Sequence, residues 1–467
     1  MIATMMLAGA AMAGPAHAAR STLPPEADLS EARAIFKELV ETDTTHARGS
    51  TRAAELLRAR FLAAGFPATD VQLLAPADKA PKGNLVVRYR GRGKAKPIMF
   101  MGHLDVVDAR AQDWSFDPFK LTDKDGYFYG RGTIDMKDGD AALASALLRL
   151  KRQSFVPDRD IIAIFTADEE AGGDANGPAW LLKEHRGLVN AEVAYNLDGG
   201  GGVLKQGRRL YYSVGTSEKT YVTFTIEATG PGGHGSVPGP DNPIYRIAAG
   251  LQRIAAYRFP VLTNATTRES FRAAATIDAG PESADLLAVA GASPDPAAAD
   301  RLSQTPYRNA QLRTTCVATL ISGGHAENAL PQRAKATIQC RMLPGDSAEN
   351  VHAVLVRVLD DAKIGVMLDA PPIVSPESPP SPAMMKRLAD VVHSMWPGVP
   401  LVPSMSTGFS DGRQTRNAGI PTYDVGGSWS EQGENRAHGR DERIGTQAFY
   451  ESVEYSYRLV RALSSAR

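Results

Sequence analysis

The sequence predicts an α/β protein into which a smaller α+β unit is inserted. The chain has 467 residues, and a typical domain holds about 100 to 200, so two or three units are expected. Apolar strand segments first alternate with helical segments, which is the pattern of α/β layers. The pattern changes near residue 210 and returns near residue 345. We therefore expect a large unit at 20–208 and 346–467 and an inserted unit at 209–345.

The large unit is expected to begin with a helix, because apolar residues recur there at helical spacing: Ala32, Ile35, Phe36, Leu39 and Val40. A second helix is expected from about Thr51 to Ala64, because Gly65 is a typical C-terminal stop signal. A third is expected from about Gly139 to Arg152.

Four apolar runs predict the strands of the large unit: Asn84–Arg90, Ile98–Asp105, Ile161–Thr166 and Glu192–Leu197. The first two runs are separated by 91–97, a basic stretch that contains two glycines. Such a stretch is typical of a solvent-exposed turn. We therefore expect the first two strands to form a hairpin.

The inserted unit contains the run Tyr221–Ala228, whose residues alternate in polarity as in a half-exposed strand. A helix is expected from about Pro243 to Ala256. Residues 280–300 are rich in Ala, Pro, Ser and Asp, which predicts a loose insertion. An amphipathic helix from about Ala348 to Lys363 then marks the return to the large unit.

The charge balance excludes a general affinity for polyanions. Lys plus Arg and Asp plus Glu each number 52, so the formal net charge is zero. A basic field that would hold nucleic acid or anionic lipid is therefore not expected.

Residues 1–18 resemble a signal peptide. The apolar run Ile2–Met12 is followed by Ala16-His17-Ala18, a small-residue cleavage pattern, although no Lys or Arg precedes the run. The run is shorter than the roughly 20 residues that a membrane-spanning helix needs. These features predict a periplasmic or secreted protein.

The two cysteines, Cys316 and Cys340, stand in predicted strands on either side of the turn-rich segment Gly323–Asn328. Their spacing does not match a C-x-x-C motif, which argues against a thiolate metal site. Two alternatives are open: a cross-strand disulfide in an oxidising compartment, or two separate buried thiols.

Candidate functional residues collect at the ends of the predicted strands, where α/β proteins place their sites. His103 and Asp105 end the second strand and would share one side of it. His103 could then bind a metal while Asp105 accepts the other ring N–H. On their own, the two residues fit an exposed surface pair better than a metal site.

Further acidic and histidine positions follow the same pattern. Asp135 stands in the glycine-rich turn Tyr129–Gly139, where the chain can approach a metal closely. The acidic run Asp168–Glu170 follows the third strand, and Asp198 follows the fourth. Neighbouring carboxylates repel each other, so such a run needs either a solvated turn or a divalent cation. His438 lies just ahead of a C-terminal helix.

Together and in this order, these segments resemble the M20 family of metallopeptidases. His234 belongs to the same set, because its Gly- and Pro-rich surroundings are too flexible to build a core. The matching stretches cover about residues 100 to 445 and read GHLDVV, YGRGTIDMKDG, TADEEAGG, NLDGG, GPGGHGSVP, GGHAENALPQ, CRMLPG and AHGRDERI. The stretch 302–332 looks most like the carboxypeptidase S and N-acyl-amino-acid hydrolase branch. The resemblance implies a zinc-exopeptidase-like catalytic domain and a ferredoxin-like lid or dimerisation domain.

The resemblance also implies a role for each residue. Two zinc ions would be bound, with Asp135 shared between them, by His103, Asp135, Glu170, Asp198 and His438. Glu169 would be the general base, Asp105 would orient His103, and His234 would help to stabilise the oxyanion. The carboxylate of the substrate would be held by two more side chains, Asn328 and Arg341.

The implied function is a di-zinc hydrolase that cuts an amide bond next to a free carboxylate in small peptides, with a homodimer through the inserted unit as one arrangement. Nitrogen and oxygen ligands suit zinc, and cobalt or manganese would also bind. One alternative is an N-acyl-amino-acid amidohydrolase that uses the same site. Another is a binding protein that has lost catalysis, which would lack a ligand or the base; the sequence lacks neither.

Overall fold

The structure, a computed structural model, describes residues 21–171, 173–434 and 436–465. The predicted signal peptide, residues 1–18, lies outside the described residues. The helices are α1 (Glu26–Val40), α2 (Thr51–Ala63), α3 (Lys137–Arg152), α4 (Gly177–Glu184), α5 (Pro243–Ala256), α6 (Ala265–Ile277), α7 (Ser283–Val289), α8 (Pro296–Leu302), α9 (Pro306–Leu312), α10 (Ala348–Leu359), α11 (Pro382–Met395), α12 (Gly412–Asn417) and α13 (Thr446–Ser464). Within these described ranges, we find no helix with the length and hydropathy needed to cross a bilayer.

The strands are β1 (Val71–Leu74), β2 (Asn84–Tyr89), β3 (Ile98–His103), β4 (Thr122–Lys124), β5 (Tyr127–Tyr129), β6 (Ile161–Thr166), β7 (Val193–Asn196), β8 (Gly201–Lys205), β9 (Arg208–Glu218), β10 (Thr220–Thr229), β11 (Gly233–His234), β12 (Thr315–Gly323), β13 (Ala329–Leu330), β14 (Arg333–Met342), β15 (Ile364–Leu368), β16 (Leu401–Ser406), β17 (Thr422–Asp424), β18 (Trp429–Glu431) and β19 (Arg443–Gly445).

Ten strands form one mixed sheet in the order β1-β2-β6-β3-β7-β17-β9-β8-β18, with β16 paired to β9. At its centre β6, β3, β7 and β17 are parallel. Helices α1, α2, α3 and α13 bury one face, and α4 and α12 lie on the other. In β3, Ile98 and Phe100 enter one core while Met99 and Met101 enter the other. Burial on both faces explains the continuous apolar runs, and the layers confirm the predicted α/β class.

The predicted hairpin of the first two strands is wrong. β2 and β3 do not pair with each other, because β6 lies between them, antiparallel to β2 and parallel to β3. The basic stretch 91–97 passes the start of β6 instead, where Arg92 and Lys94 contact the Asp158 carboxylate. A turn signal between two strands reports a change of direction but does not identify the strand that pairs.

A second sheet has four antiparallel strands in the order β12-β14-β10-β15. Helices α5 and α10 pack against it and share its core. The chain order β10-α5-β12-β14-α10-β15 is the β-α-β-β-α-β order of ferredoxin-like folds.

Sheet membership gives limits for this smaller unit. β9 belongs to the large sheet, whereas α10 and β15 pack with the small one. We propose on this basis that the inserted unit runs from about 219 to 369 rather than from 209 to 345.

Residues 280–300, expected as a loose insertion, are helical. They contain α7 and α8, which pack with α6 around a small core that includes Phe271, Leu286, Val289 and Leu302. These helices have only seven residues each, too few for a helical period to stand out in an Ala- and Pro-rich sequence.

Cys316 and Cys340 form a disulfide between β12 and β14. The two residues are directly opposite in the strand register, and their Cα atoms are 4.1 Å apart. The structure thus has the first of the two alternatives that the sequence left open. By closing a loop of this size, the disulfide lowers the entropy of the unfolded chain. In the loop-entropy model, this stabilises the folded protein by about 3 to 4 kcal/mol.

Candidate active site

Parallel strands bring the candidate residues to one edge of the large sheet. β6, β3 and β7 are neighbours and run in the same direction, so their carboxyl ends meet. His103 ends β3, Glu169 and Glu170 follow β6, and Asp198 follows β7. This edge is where open α/β sheets bind their ligands.

Three of the predicted ligands form a first group. His103 Nε2 lies 3.2 Å from Asp135 Oδ1 and 3.8 Å from Asp198 Oδ2. His103 is almost fully buried, so its position is set by the end of β3 and by the packing around it. One oxygen or nitrogen from each of the three residues lies within 4.8 Å of the others, a spacing that could hold a metal ion.

A second group shares Asp135. His438 Nε2 lies 3.1 Å from Asp135 Oδ2 and 2.9 Å from Glu170 Oε2. The two carboxylate oxygens of Asp135 thus face different histidines, Oδ1 toward His103 and Oδ2 toward His438. The structure brings the five predicted ligands together as two groups that share one carboxylate.

The electrostatics of the two groups fit divalent cations. Burial lowers the pKa of His103, but its bond to Asp135 and the nearby carboxylates raise that pKa well above the usual value. Bonds to Asp135 and Glu170 raise the pKa of His438 to about 10. Burial also raises the pKa of Asp198 strongly. Both histidines are thus drawn toward protonation by surplus negative charge, which bound cations would neutralise. The donor set, two imidazoles and three carboxylates, is one that zinc accepts.

Glu169 is the buried acid of the cluster. Its side chain follows β6 directly, and burial raises its pKa well above the usual range, with further increases from Asp411 and Glu170. A carboxyl group whose affinity for protons is raised is suited to accept a proton and return it.

Asp105 contacts His103 differently from the sequence expectation. Its backbone carbonyl oxygen lies 3.0 Å from His103 Nδ1, closer than its carboxylate, which is 3.7 Å away. The carboxylate accepts the backbone N–H groups of Glu169 and Glu170, at 3.1 and 3.0 Å. Asp105 therefore connects the end of β3 to the acidic turn after β6.

A buried ion pair that the sequence analysis missed joins the two loops that meet at Asp135. Arg131 Nη1 and Glu442 Oε2 are 2.6 Å apart, and both side chains are at most 3% exposed. Glu442 Oε1 accepts the backbone N–H groups of Ile134 and Asp135. Arg131 Nη2 donates to the backbone oxygen of His438. The two residues of the ion pair are 311 positions apart in the sequence. No local motif could therefore have indicated that they pair.

His234 and Asn328 lie on a separate ribbon of the inserted unit. β11 pairs with β13 there, and Gly235 N–H donates to the Asn328 carbonyl at 2.7 Å. His234 is exposed, and its Nδ1 accepts a hydrogen bond from the Ser236 backbone. Among the described contacts, neither side chain reaches the five clustered ligands.

Arg341 lies at the other end of β14. The ribbon adjoins Arg333, where β14 begins, while Arg341 pairs with Tyr221 next to the large unit. At roughly 3.3 Å per residue, about 26 Å separates these ends of the strand. The structure therefore does not bring Asn328 and Arg341 to one point within a single chain.

Arg341 has an arginine neighbour that the sequence analysis missed. The Cζ atom of Arg341 lies 5.0 Å from the centre of the Phe409 ring, and that of Arg413 lies 4.1 Å from it. Arg413 stands near the metal-ligand groups, because Asp411, two residues before it, accepts a hydrogen bond from Thr166, and Thr166 pairs with His103. Arg413 is on the six-residue helix α12, where no spacing pattern singles it out.

Comparison with known proteins agrees with this geometry. The chain is 25% identical over 374 residues to the human N-fatty-acyl-amino acid synthase/hydrolase PM20D1, covering 78% of this chain and 74% of that protein. It is 27% identical over 402 residues to a probable carboxypeptidase S-like 2 of Dictyostelium discoideum, covering 81% and 74%. The fold resembles the M20 family metallo-carboxypeptidase Sso-CP2 from Sulfolobus solfataricus, with a TM-score of 0.69, 17% identity, and coverage of 93% and 99%.

The family assignment follows from a match that covers most of the chain. The pattern that defines peptidase family M20/M25/M40 matches residues 99–462, which include the strands and loops that carry all five clustered ligands. The chain therefore belongs to peptidase family M20/M25/M40, and it is a hydrolase of that family.

Proposed function

We propose that this hydrolase uses two zinc ions to cleave an amide bond adjacent to a free carboxylate in small peptides. The observation that carries the proposal is the sharing of Asp135 between two ligand groups, one with His103 and Asp198 and the other with Glu170 and His438. When bound, a pair of divalent ions makes hydroxide available near neutral pH and polarises the scissile carbonyl.

The chain's own groups perform the proton transfers in this mechanism. Glu169 accepts the proton of the attacking water and returns it to the leaving amine. Asp105 holds the backbone N–H groups of Glu169 and Glu170, and so fixes the turn that carries the base. Arg341 binds the substrate's carboxylate through charge-assisted hydrogen bonds.

The carboxylate preference gives the test of this proposal. C-terminally amidated peptides are expected to be cleaved with a kcat/KM roughly ten- to hundredfold lower than the free acids, because a hydrogen bond to a charged group contributes about 1.5 to 3 kcal/mol. Arg341→Ala should lower kcat/KM for the acids and largely remove the discrimination. A steady-state comparison of matched acid and amide dipeptides measures both effects.

Arg308→Gln supplies the matched control, because Arg308 is a largely buried arginine on α9 whose ion-pair partner is Glu282, which belongs to neither metal-ligand group. Its discrimination should equal that of the wild type. Equal cleavage of acids and amides by the wild-type enzyme would refute the carboxylate pocket.

A second candidate function is hydrolysis of N-acyl amino acids at the same site. It is favoured by the match to a relative that is named as an N-fatty-acyl-amino acid synthase/hydrolase. Both substrates place an amide next to a carboxylate, so the chemistry at Glu169 is the same. Hydrolysis of a panel of dipeptides and N-acyl amino acids by zinc-loaded protein distinguishes the two.

We further propose that the enzyme works as a homodimer in which His234 and Asn328 serve the partner's site. If the inserted unit moved about a hinge as one body, Arg341 would move together with the ribbon. Such a motion could not bring both ends of β14 to one substrate. The edge strand β12 supports a dimer, because it exposes Val317 and Leu320 with an unpaired strand edge.

Mixing two inactive variants tests this arrangement. His234→Ala and Glu169→Gln should each be nearly inactive as pure proteins. After subunit exchange, one of the two sites in each hybrid dimer has both residues, so hydrolysis should recover to a substantial fraction of wild type. Exchange can be followed with differently tagged chains. Absence of recovery despite exchange would assign His234 to its own chain's site.

A periplasmic or secreted location is proposed on two grounds. The disulfide between Cys316 and Cys340 is of the kind that persists in oxidising compartments. The N-terminal pattern of residues 1–18 resembles a signal peptide.

A further inference from the structure

Arg341 and Arg413 are neighbouring cations for which the described part of the chain provides no ion-pair partner. Neither side chain makes an ion pair among residues 21–171, 173–434 and 436–465, and Arg341 Nη1 and Arg413 Nε are buried with no hydrogen-bond partner there. Buried guanidinium groups are normally paired, because an unsatisfied charged donor is costly.

The two guanidinium groups lie against the same aromatic ring. Their Cζ atoms are 5.0 and 4.1 Å from the centre of Phe409, and Arg341 is also 4.9 Å from the Tyr221 ring. The two Cζ atoms can therefore be no more than about 9 Å apart. Burial lowers the pKa of Arg341, Arg413 lowers it further, and Glu169 is close enough to raise it. Two positive charges are thus held together beside the proposed base.

We propose that Arg341 and Arg413 form a subsite for two carboxylates, so that the released amino acid carries an acidic side chain, as in glutamate or aspartate. This inference rests on the proposed amide hydrolysis. Arg341 binds the α-carboxylate next to the scissile bond, and Arg413 binds the carboxylate at the end of the side chain. Each guanidinium group has a buried N–H without a partner among the described residues, so each can bind a carboxylate of its own.

Binding measurements on a variant without turnover test the subsite. Zinc-loaded Glu169→Gln protein is titrated calorimetrically with N-acetylglutamate and with N-acetylglutamine, which has nearly the same shape but no second charge. N-acetylglutamate should bind about ten- to hundredfold more tightly, as expected for one charged hydrogen-bonded pair. Adding Arg413→Gln should remove most of this preference, whereas adding Arg308→Gln should leave it intact.

Two results would overturn the subsite. One is equal binding of the two compounds by Glu169→Gln protein. The other is an equal loss of affinity for both compounds on Arg413→Gln, which would mean that both arginines hold the same α-carboxylate. Failure of the proposed function is distinguishable, because wild-type enzyme would then cleave neither dipeptides nor N-acyl amino acids even if the binding preference is present.

Discussion

Replacing Glu169 with Gln is expected to lower kcat by about 10² to 10⁴-fold, the usual range for loss of a general base. Glutamine has nearly the same shape but cannot accept a proton, and Glu169 is buried beside the ligand groups with its backbone held by Asp105. The metal content should stay the same, because Glu169 belongs to neither ligand group. Steady-state kinetics and elemental analysis of the same preparation measure the two quantities.

Glu192→Gln is the matched control. Glu192 precedes β7 at the opposite end of the same sheet, and it is half exposed in an ion pair with Arg159. Its substitution should leave both kcat and metal content at wild-type values. Near-normal turnover of the Glu169→Gln enzyme would remove Glu169 from the mechanism.

Removal of the metals is expected to abolish hydrolysis, and about two equivalents of zinc per chain should restore it. The reason is that the two ligand groups share Asp135, so each ion helps to offset the charge of the same carboxylate. Ions that bind the folded chain selectively also stabilise it. The melting temperature should therefore fall on chelation and recover with zinc.

Cobalt or manganese should restore activity in part, because the same oxygen and nitrogen donors accept them. Calcium serves as the control, since it prefers six to eight oxygen ligands. Fully active protein without stoichiometric metal would contradict the di-metal proposal.

The positions of the strand-end residues could be predicted because parallel strands direct their carboxyl ends to one edge. His103, Glu170 and Asp198 need only the order of three strands to come together. The partner of β2 could not be predicted, because the pairing with β6 depends on residues that are distant in sequence. Local turn signals carry no such information.

The roles of side chains that depend on long-range contacts also could not be predicted from the sequence. Arg413 gains its significance from Phe409 and Arg341, which a short helix and a distant strand bring together. The separation of Asn328 from Arg341 follows from the length of β14. The sequence predicts that Asn328 and Arg341 belong to one hairpin, but it does not predict how far apart the hairpin places them.

The two ligand groups differ in which parts of the chain supply their residues. The group of His103, Asp135 and Asp198 lies wholly ahead of the inserted unit, whereas the other needs His438, which follows that unit. Closing a longer loop costs more chain entropy and slows folding. The first group is therefore built from the chain ahead of the inserted unit alone, whereas the second also requires the returning chain, which the contacts of Arg131 with Glu442 and with the His438 backbone hold in place.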